Sequence, residues 1–239
     1  MMCFSLPYLI TPSLTPPLHF PSFFLTLLTL LLVQDYGNSS YWDERYAASS
    51  GEVFDWYQPY STLKPQLTPY LSVDPEFEIL IPGCGNSSLG ADLYDDGYLN
   101  ITNVDTSSVV ISQMTDLHGD REEMEYTVMD CRNLEYLPDN CFDLIIDKAL
   151  MDAQLCSEEN IHNVNSMLSE MHRVLKPGGV YISISHGLPP TRLTYLNNKD
   201  LRWNVEFKKV NAPKGELEGE SGSGGGESHF LYVAKKSGK

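Results

Sequence analysis

The stretch that decides the fold is Ile79-Leu80-Ile81-Pro82-Gly83-Cys84-Gly85-Asn86-Ser87-Ser88-Leu89-Gly90. Together with Phe77 and Glu78 before it, FEILIP (77–82) is a short apolar run that ends at glycines, the pattern of a buried strand. Gly83 and Gly85 have no Cβ, so the chain can turn tightly there and its backbone can approach a ligand closely. Such turns are common, and alone this one is a weak sign. Its neighbours strengthen it. The next strand, ITNVD (101–105), ends on Asp105, 22 residues after Gly83, where a carboxylate can accept hydrogen bonds from both hydroxyls of a ribose. The alternative for Asp105 is an exposed carboxylate opening the turn before a helix. EYTVMD (125–130) ends on Asp130, from which a carboxylate can meet an adenine amino group. Three successive strands thus finish in Gly-x-Gly, Asp and Asp, and ligands of such sheets lie beyond the carboxyl ends of the strands.

Outward from this centre, strand and helix patterns alternate. Residues 87–96 and SSVVISQMTDLH (107–118) read as helices, and CFDLIIDKA (141–149) as a fourth strand. NIHNVNSMLSEMHRVL (160–175) is a helix ended by Lys176-Pro177-Gly178-Gly179, since proline cannot continue it and glycine permits the reversal. GVYISISH (179–186), WNVEFKKV (203–210) and HFLYVAKK (229–236) complete the strands. The last two have no helix between them, which predicts an antiparallel closing hairpin. The fold class is therefore α/β, a doubly wound, mostly parallel sheet. Ahead of it, residues 41–70 carry aromatic and apolar residues at helical intervals, broken by Pro59 and Pro65. Residues 35–239 form one domain, with an acidic, glycine-rich stretch at about 212–228 expected to be a disordered loop.

The loop chemistry narrows the ligand. A dinucleotide fingerprint needs a third glycine three residues after the second, where this chain has Ser88, and no GKS or GKT follows to make a P-loop. The positive charge that phosphates require is missing from the loop. S-adenosylmethionine has no phosphate and is a sulfonium cation, so it suits an acidic, aromatic site. Trp42, Tyr46 and Tyr57 can offer faces to that cation or a lid over it, or else simply pack an N-terminal helix. The net charge of −16, from 32 acidic and 16 basic side chains, argues against nucleic acid and fits a basic protein partner or a small molecule. The five cysteines form no CxxC pair and the six histidines show no ligand spacing, so neither a disulfide framework nor a metal site is expected. A reducing, cytoplasmic setting follows from the same cysteines.

SYWDERY (40–46), FDWY (54–57), ILIPGCGNSSLG (79–90), LYDDGYLNITNVDTSSVVISQM (93–114), FDLIIDKALMDA (142–153) and LKPGG (175–179) together resemble the methyltransferase-like proteins that methylate lysines of translation elongation factor 1-alpha. The resemblance covers residues 36–186 well, the closing strands less well and residues 1–34 not at all. It implies a Rossmann-like, seven-stranded class I methyltransferase fold with S-adenosylmethionine as cofactor. By that resemblance Gly83 and Gly85 line the methionine part, Asp105 binds the ribose with Thr106 beside it, and Asp130 and Cys131 hold the adenine. Trp42, Tyr46 and Tyr57 close over the ligand. Asp147 and Lys148 then lie at the face shared by the cofactor and the target lysine. A lysine nucleophile must lose a proton, and Asp147 is the carboxylate expected nearest the transferred methyl, although methyl transfer needs no dedicated base. His186 is a second candidate on the same edge. Lys148 has the alternative of a structural ion pair with Asp147 or Asp143.

Three functions stay open at this level: a protein-lysine methyltransferase acting on a translation factor, a small-molecule methyltransferase on the same fold, and a non-catalytic cofactor-binding scaffold. Residues 1–34 are a separate matter. LHFPSFFLTLLTLLLV (18–33) is apolar and uncharged, but its 16 residues fall short of the span of a bilayer. It has no basic n-region and no clear cleavage site for a signal peptide. Its Phe, Leu, Ser and Pro content is also what pyrimidine-rich codons encode, so a translated intron tail is the third reading. A membrane partner is expected only if this segment is real.

Overall fold

The computed structural model describes residues 36–49, 51–157, 159–211 and 228–238. The readings of residues 1–34 and most of the 212–228 loop lie outside the described residues. Two helices, α1 (Ser39–Ala48) and α2 (Tyr60–Leu67), precede the sheet, the second running into a short 3-10 turn at Thr68–Tyr70. Then follow β1 (Ile79–Pro82), α3 (Leu89–Asp95), β2 (Ile101–Asp105), α4 (Ser108–His118), β3 (Met124–Val128) and β4 (Phe142–Lys148). The rest is α5 (Leu150–Gln154), α6 (Asn160–Val174), β5 (Leu175–Ser185), α7 (Pro189–Leu196), β6 (Trp203–Val210) and β7 (His229–Lys236). The seven strands make one sheet in the order β3-β2-β1-β4-β5-β7-β6. The strands from β3 to β5 are parallel, while β7 runs antiparallel to both β5 and β6. This is the doubly wound sheet with the closing hairpin that the sequence predicts.

Side-chain alternation sorts the core onto two faces. Ile79, Ile81, Leu144, Ile146, Ile182 and Ile184 pack on one face with Leu63 and Leu67 of α2, Leu93 of α3 and Val110 and Met114 of α4. Leu80, Ile145, Tyr181 and Tyr232 pack on the other with Val164, Met167, Leu168 and Met171 of α6. The last four recur at intervals of one, three and four, as one buried helix face requires. β1 lies between two parallel neighbours and all four of its residues are buried. The edge strand β6 instead alternates between buried ends and exposed middle positions.

Two details depart from the sequence reading. Strand β5 begins at Leu175 rather than Gly179, and its ladder with β4 jumps from Phe142↔Leu175 to Leu144↔Val180. Lys176-Pro177-Gly178-Gly179 therefore bulges out of an existing strand, with Gly178 at φ 86°, and Lys176 Nζ reaches Asp143 at 2.6 Å. The short helices α5 and α7 were not expected. Among the described residues no helix is long and apolar enough to cross a membrane.

Candidate functional site

A cavity of about 270 Å³ opens along the carboxyl ends of the parallel strands, from Asp130 after β3 to His186 after β5. Its floor is the glycine loop. Gly83 and Gly85 adopt φ of 61° and 52°, the left-handed region where a side chain is strained. Space is short as well: a Cβ on Gly85 would lie 2.7 Å from Tyr46 Oη, and one on Gly83 2.7 Å from the Leu150 side chain. At the end of β2, Asp105 accepts hydrogen bonds from the backbone N–H of Gly85 at 3.0 Å and of Ser107 at 2.9 Å. One carboxylate thus sets both the loop and the start of α4 while it lines the cavity. Burial raises its pKa, against the pull of the Ser107, Gly85 and Thr106 amides. Thr106 lines the cavity beside it.

Asp130 lies on the wall but is engaged by Arg132, whose Nε and Nη2 approach it at 3.0 and 2.7 Å. Burial would raise the Asp130 pKa, and the Arg132 hydrogen bonds and charge hold it below the usual range. Buried Cys131 also lines the cavity, next to Gln154, whose Nε2 lies 3.9 Å from the thiol. The Gln154 Oε1 atom is buried and has no hydrogen-bond partner among the described residues.

The opposite wall comes from the N-terminal segments. Trp42 and Tyr46 of α1 stack with centroids 5.7 Å apart. Phe54, Trp56 and Tyr57 follow on a strap, residues 52–57, that lies across the loop: Phe54 N–H donates to the Asn86 carbonyl at 3.0 Å. Asp55 fastens the strap by accepting from Ser87 Oγ, Ser88 Oγ and Lys148 Nζ. Lys148 is hence paired with Asp55, not with Asp147 or Asp143. Burial pulls the Lys148 pKa down and Asp55 opposes it, leaving a net lowering. Tyr57 has φ 66° and Ala149, just after β4, φ 76°; non-glycine residues held in the left-handed region gather at functional sites.

The expectation for Asp147 is corrected. It does not line the cavity and has no solvent exposure. Its carboxylate caps α5 by accepting from Leu150 N–H at 2.8 Å and Met151 N–H at 3.3 Å, and takes the Tyr181 hydroxyl at 2.7 Å. The group on the cavity wall is Asp152, five residues on, carried there by the helix α5 that the sequence did not announce. Asp152 contacts Tyr57 and His186, both also on the wall.

Burial raises the Asp147 pKa to about 7, against the Tyr181 hydrogen bond and with the Asp152 charge adding to the rise. The folded protein then holds a proton that the unfolded chain loses near pH 4. Stability should fall as pH rises from about 4 to about 7, by on the order of 1 kcal/mol per pH unit. Asp147→Asn should flatten that slope, a result to be read from urea midpoints at pH 5 and pH 8. Equal slopes in both proteins would refute it.

These walls suit S-adenosylmethionine. The cations on the described wall, Lys148 and Arg132, are each paired with a carboxylate, so neither is left to neutralise a phosphate. The unpartnered Gln154 oxygen matches an amino donor, the Asp105 oxygens match ribose hydroxyls, and the rings match a sulfonium.

Comparison with known proteins agrees. Residues 80–183 match a family profile described as "Methyltransferase domain". The mouse protein named EEF1A lysine methyltransferase 4 is 34% identical over 180 residues, 71% of this chain and 69% of its own length. Mouse eEF1A lysine and N-terminal methyltransferase is 39% identical over 155 residues, 64% of this chain, and the match spans only 22% of that longer protein. In shape, a Methanosarcina mazei S-adenosylmethionine-dependent methyltransferase aligns with a TM-score of 0.55 at 21% identity, covering 78% of this chain and all of the other. The chain belongs to the class I S-adenosylmethionine-dependent methyltransferases, as a relative of the enzymes named for methylating lysines of eEF1A.

Proposed function

We propose that this chain transfers a methyl group from S-adenosylmethionine to a lysine side chain of a protein, and that the protein is translation elongation factor 1-alpha. One observation carries this reading. Two relatives of very different build are both named for eEF1A lysine methylation, and what each shares with this chain is a single aligned stretch. The acidic net charge of −16 supports a basic protein partner.

The strand order supports a division of labour within the cavity. Adjacent strands lie about 4.8 Å apart, so the ends of β2 and β5 are separated by roughly 14 Å. Asp105 and Asp130 stand at the β2/β3 end, the glycines under β1, and Lys148, Asp152 and His186 at the β4/β5 end. A nucleoside fits the first end and an acceptor amine the second. The cofactor, when bound, supplies an electrophilic methyl group on a good leaving group. The chain's part is to align the amine and strip water from it. Trp42, Tyr46, Phe54 and Trp56 provide the apolar cover, and the Asp55 bonds to Ser87, Ser88 and Lys148 hold that cover on the loop.

The test is incubation of the full-length protein with purified eEF1A and isotopically labelled S-adenosylmethionine, followed by peptide mass spectrometry. Label on a lysine side chain of eEF1A is the expected result. Label on its N-terminal amine would match the second activity in the longer relative's name. A labelled soluble product instead would place the chain among small-molecule methyltransferases, and no label despite cofactor binding would leave a scaffold.

A further inference from the structure

Asp152 sits on the acceptor wall as an acceptor in every contact it makes. One oxygen takes Ser185 Oγ at 2.5 Å and Arg192 Nε and Nη2 at 3.0 and 2.6 Å. The other takes the Tyr57 hydroxyl, the His186 backbone N–H at 3.1 Å and His186 Nδ1 at 2.8 Å. Arg192 comes from α7, is buried, and stays outside the cavity lining. Gly187 makes room for it, because a Cβ there would lie 2.1 Å from the guanidinium carbon.

This arrangement places one proton on Tyr57 and one on His186 Nδ1. A buried carboxylate beside a guanidinium is an anion and can only accept. Tyr57 has one proton and gives it to Asp152, so its oxygen faces other partners as an acceptor. His186 Nδ1 lies within reach of two acceptors, Asp152 and, at 2.9 Å, the Tyr57 oxygen. Nδ1 must therefore carry the hydrogen, and in a neutral imidazole Nε2 is then the acceptor.

We propose that Arg192 is a positioning residue that sets the hydrogen-bond polarity of the acceptor end: by holding Asp152 as an acceptor, it makes Tyr57 and His186 present acceptor atoms, so that the wall selects a nucleophile bearing N–H groups. An amine meets both groups with donors. A hydroxyl brings one proton for two acceptors, and a carboxylate brings none. The proposal rests on the lysine reading for the identity of the amine and on the wall geometry for the polarity.

Two measurements test it in the full-length protein. The first is the His186 tautomer, read from long-range ¹H–¹⁵N correlation at pH 8 and assigned by the signal lost in His186→Gln. The Nδ1–H form is expected. Any hydrogen on Nε2 in the wild type, from the other tautomer or from an imidazolium, would overturn the proposal whatever the substrate. The second compares methylation of eEF1A and calorimetric S-adenosylmethionine binding in Tyr57→Phe, Arg192→Lys and Arg192→Met. Cofactor affinity should stay within about threefold, while kcat falls roughly 100-fold in Tyr57→Phe and Arg192→Met. Arg192→Lys should recover most of the loss. Wild-type turnover in Tyr57→Phe, or a loss of cofactor affinity in step with kcat, would overturn it. If the wild-type protein leaves eEF1A unlabelled, the lysine reading fails separately and the tautomer decides the polarity.

Discussion

Asp152→Ala is expected to lower the thermal midpoint by about 10 °C, from a loss of roughly 3–5 kcal/mol. The cause is what the substitution leaves behind. Arg192 is 8% exposed, and without Asp152 its charge stays buried with Ser185 Oγ, at 2.9 Å, as its one side-chain hydrogen-bond partner among the described residues. Tyr57 and Ser185 lose their acceptor at the same time. Asp152→Asn combined with Arg192→Met removes both charges and should recover most of the midpoint, because an uncompensated buried charge costs more than an absent pair. The effect also has a pH signature. Burial would raise the Asp152 pKa, yet the His186 hydrogen bond and the Arg192 charge hold it well below the carboxylate range. A depressed folded pKa stabilises above the unfolded value, so the gap between wild type and Asp152→Ala should be full above about pH 4 and shrink below it. A loss under 1 kcal/mol at pH 7 would mean that Asp152 does not hold this wall together.

Asp105→Ala should weaken S-adenosylmethionine binding by at least about 100-fold, since each hydrogen bond to a charged group is worth about 1.5–3 kcal/mol. Two of these bonds hold the protein itself. The carboxylate fixes the Gly85 and Ser107 amides at 3.0 and 2.9 Å, so its removal loosens the loop as well as the ribose acceptors. Asp105→Asn should do little better. Its amide turns an N–H toward one of those backbone donors, or toward the cavity in place of an acceptor. Circular dichroism of both variants should remain that of the wild type, because Asp105 lies at the edge of the core, beyond the apolar clusters between sheet and helices.

The reasons that the fold was legible in the sequence are visible in β1 and α6. Ile79-Leu80-Ile81 is buried on both sides and so must be apolar throughout, and α6 must repeat its apolar residues on one face. Burial patterns of this kind are written in consecutive residues. Asp105 was likewise legible because a strand end and a glycine loop fix its place. The Asp147 expectation failed for the opposite reason. Asp147 and Asp152 stand five residues apart, and which of them faces the cavity depends on a five-residue helix and on Ala149 at positive φ, neither marked by composition. Asp55 and Arg192 were missed because their partners, Lys148 and Asp152, lie 93 and 40 residues away along the chain. Long-range pairs of single side chains leave no periodic trace. The helix stop before Lys176-Pro177-Gly178-Gly179 was legible, but the start of β5 at Leu175 was not, because proline and glycine end helices and deform strands alike.

The central claim is that the cavity over Gly83 and Gly85, with Asp105 at its edge, binds S-adenosylmethionine. Calorimetric titration of the full 239-residue chain with S-adenosylmethionine, alongside Asp105→Ala, addresses it directly. Saturable one-to-one binding by the wild type that the variant loses at least about 100-fold is the predicted result. A well-folded wild-type protein that takes up no S-adenosylmethionine, or a variant that binds it equally well, would contradict the account.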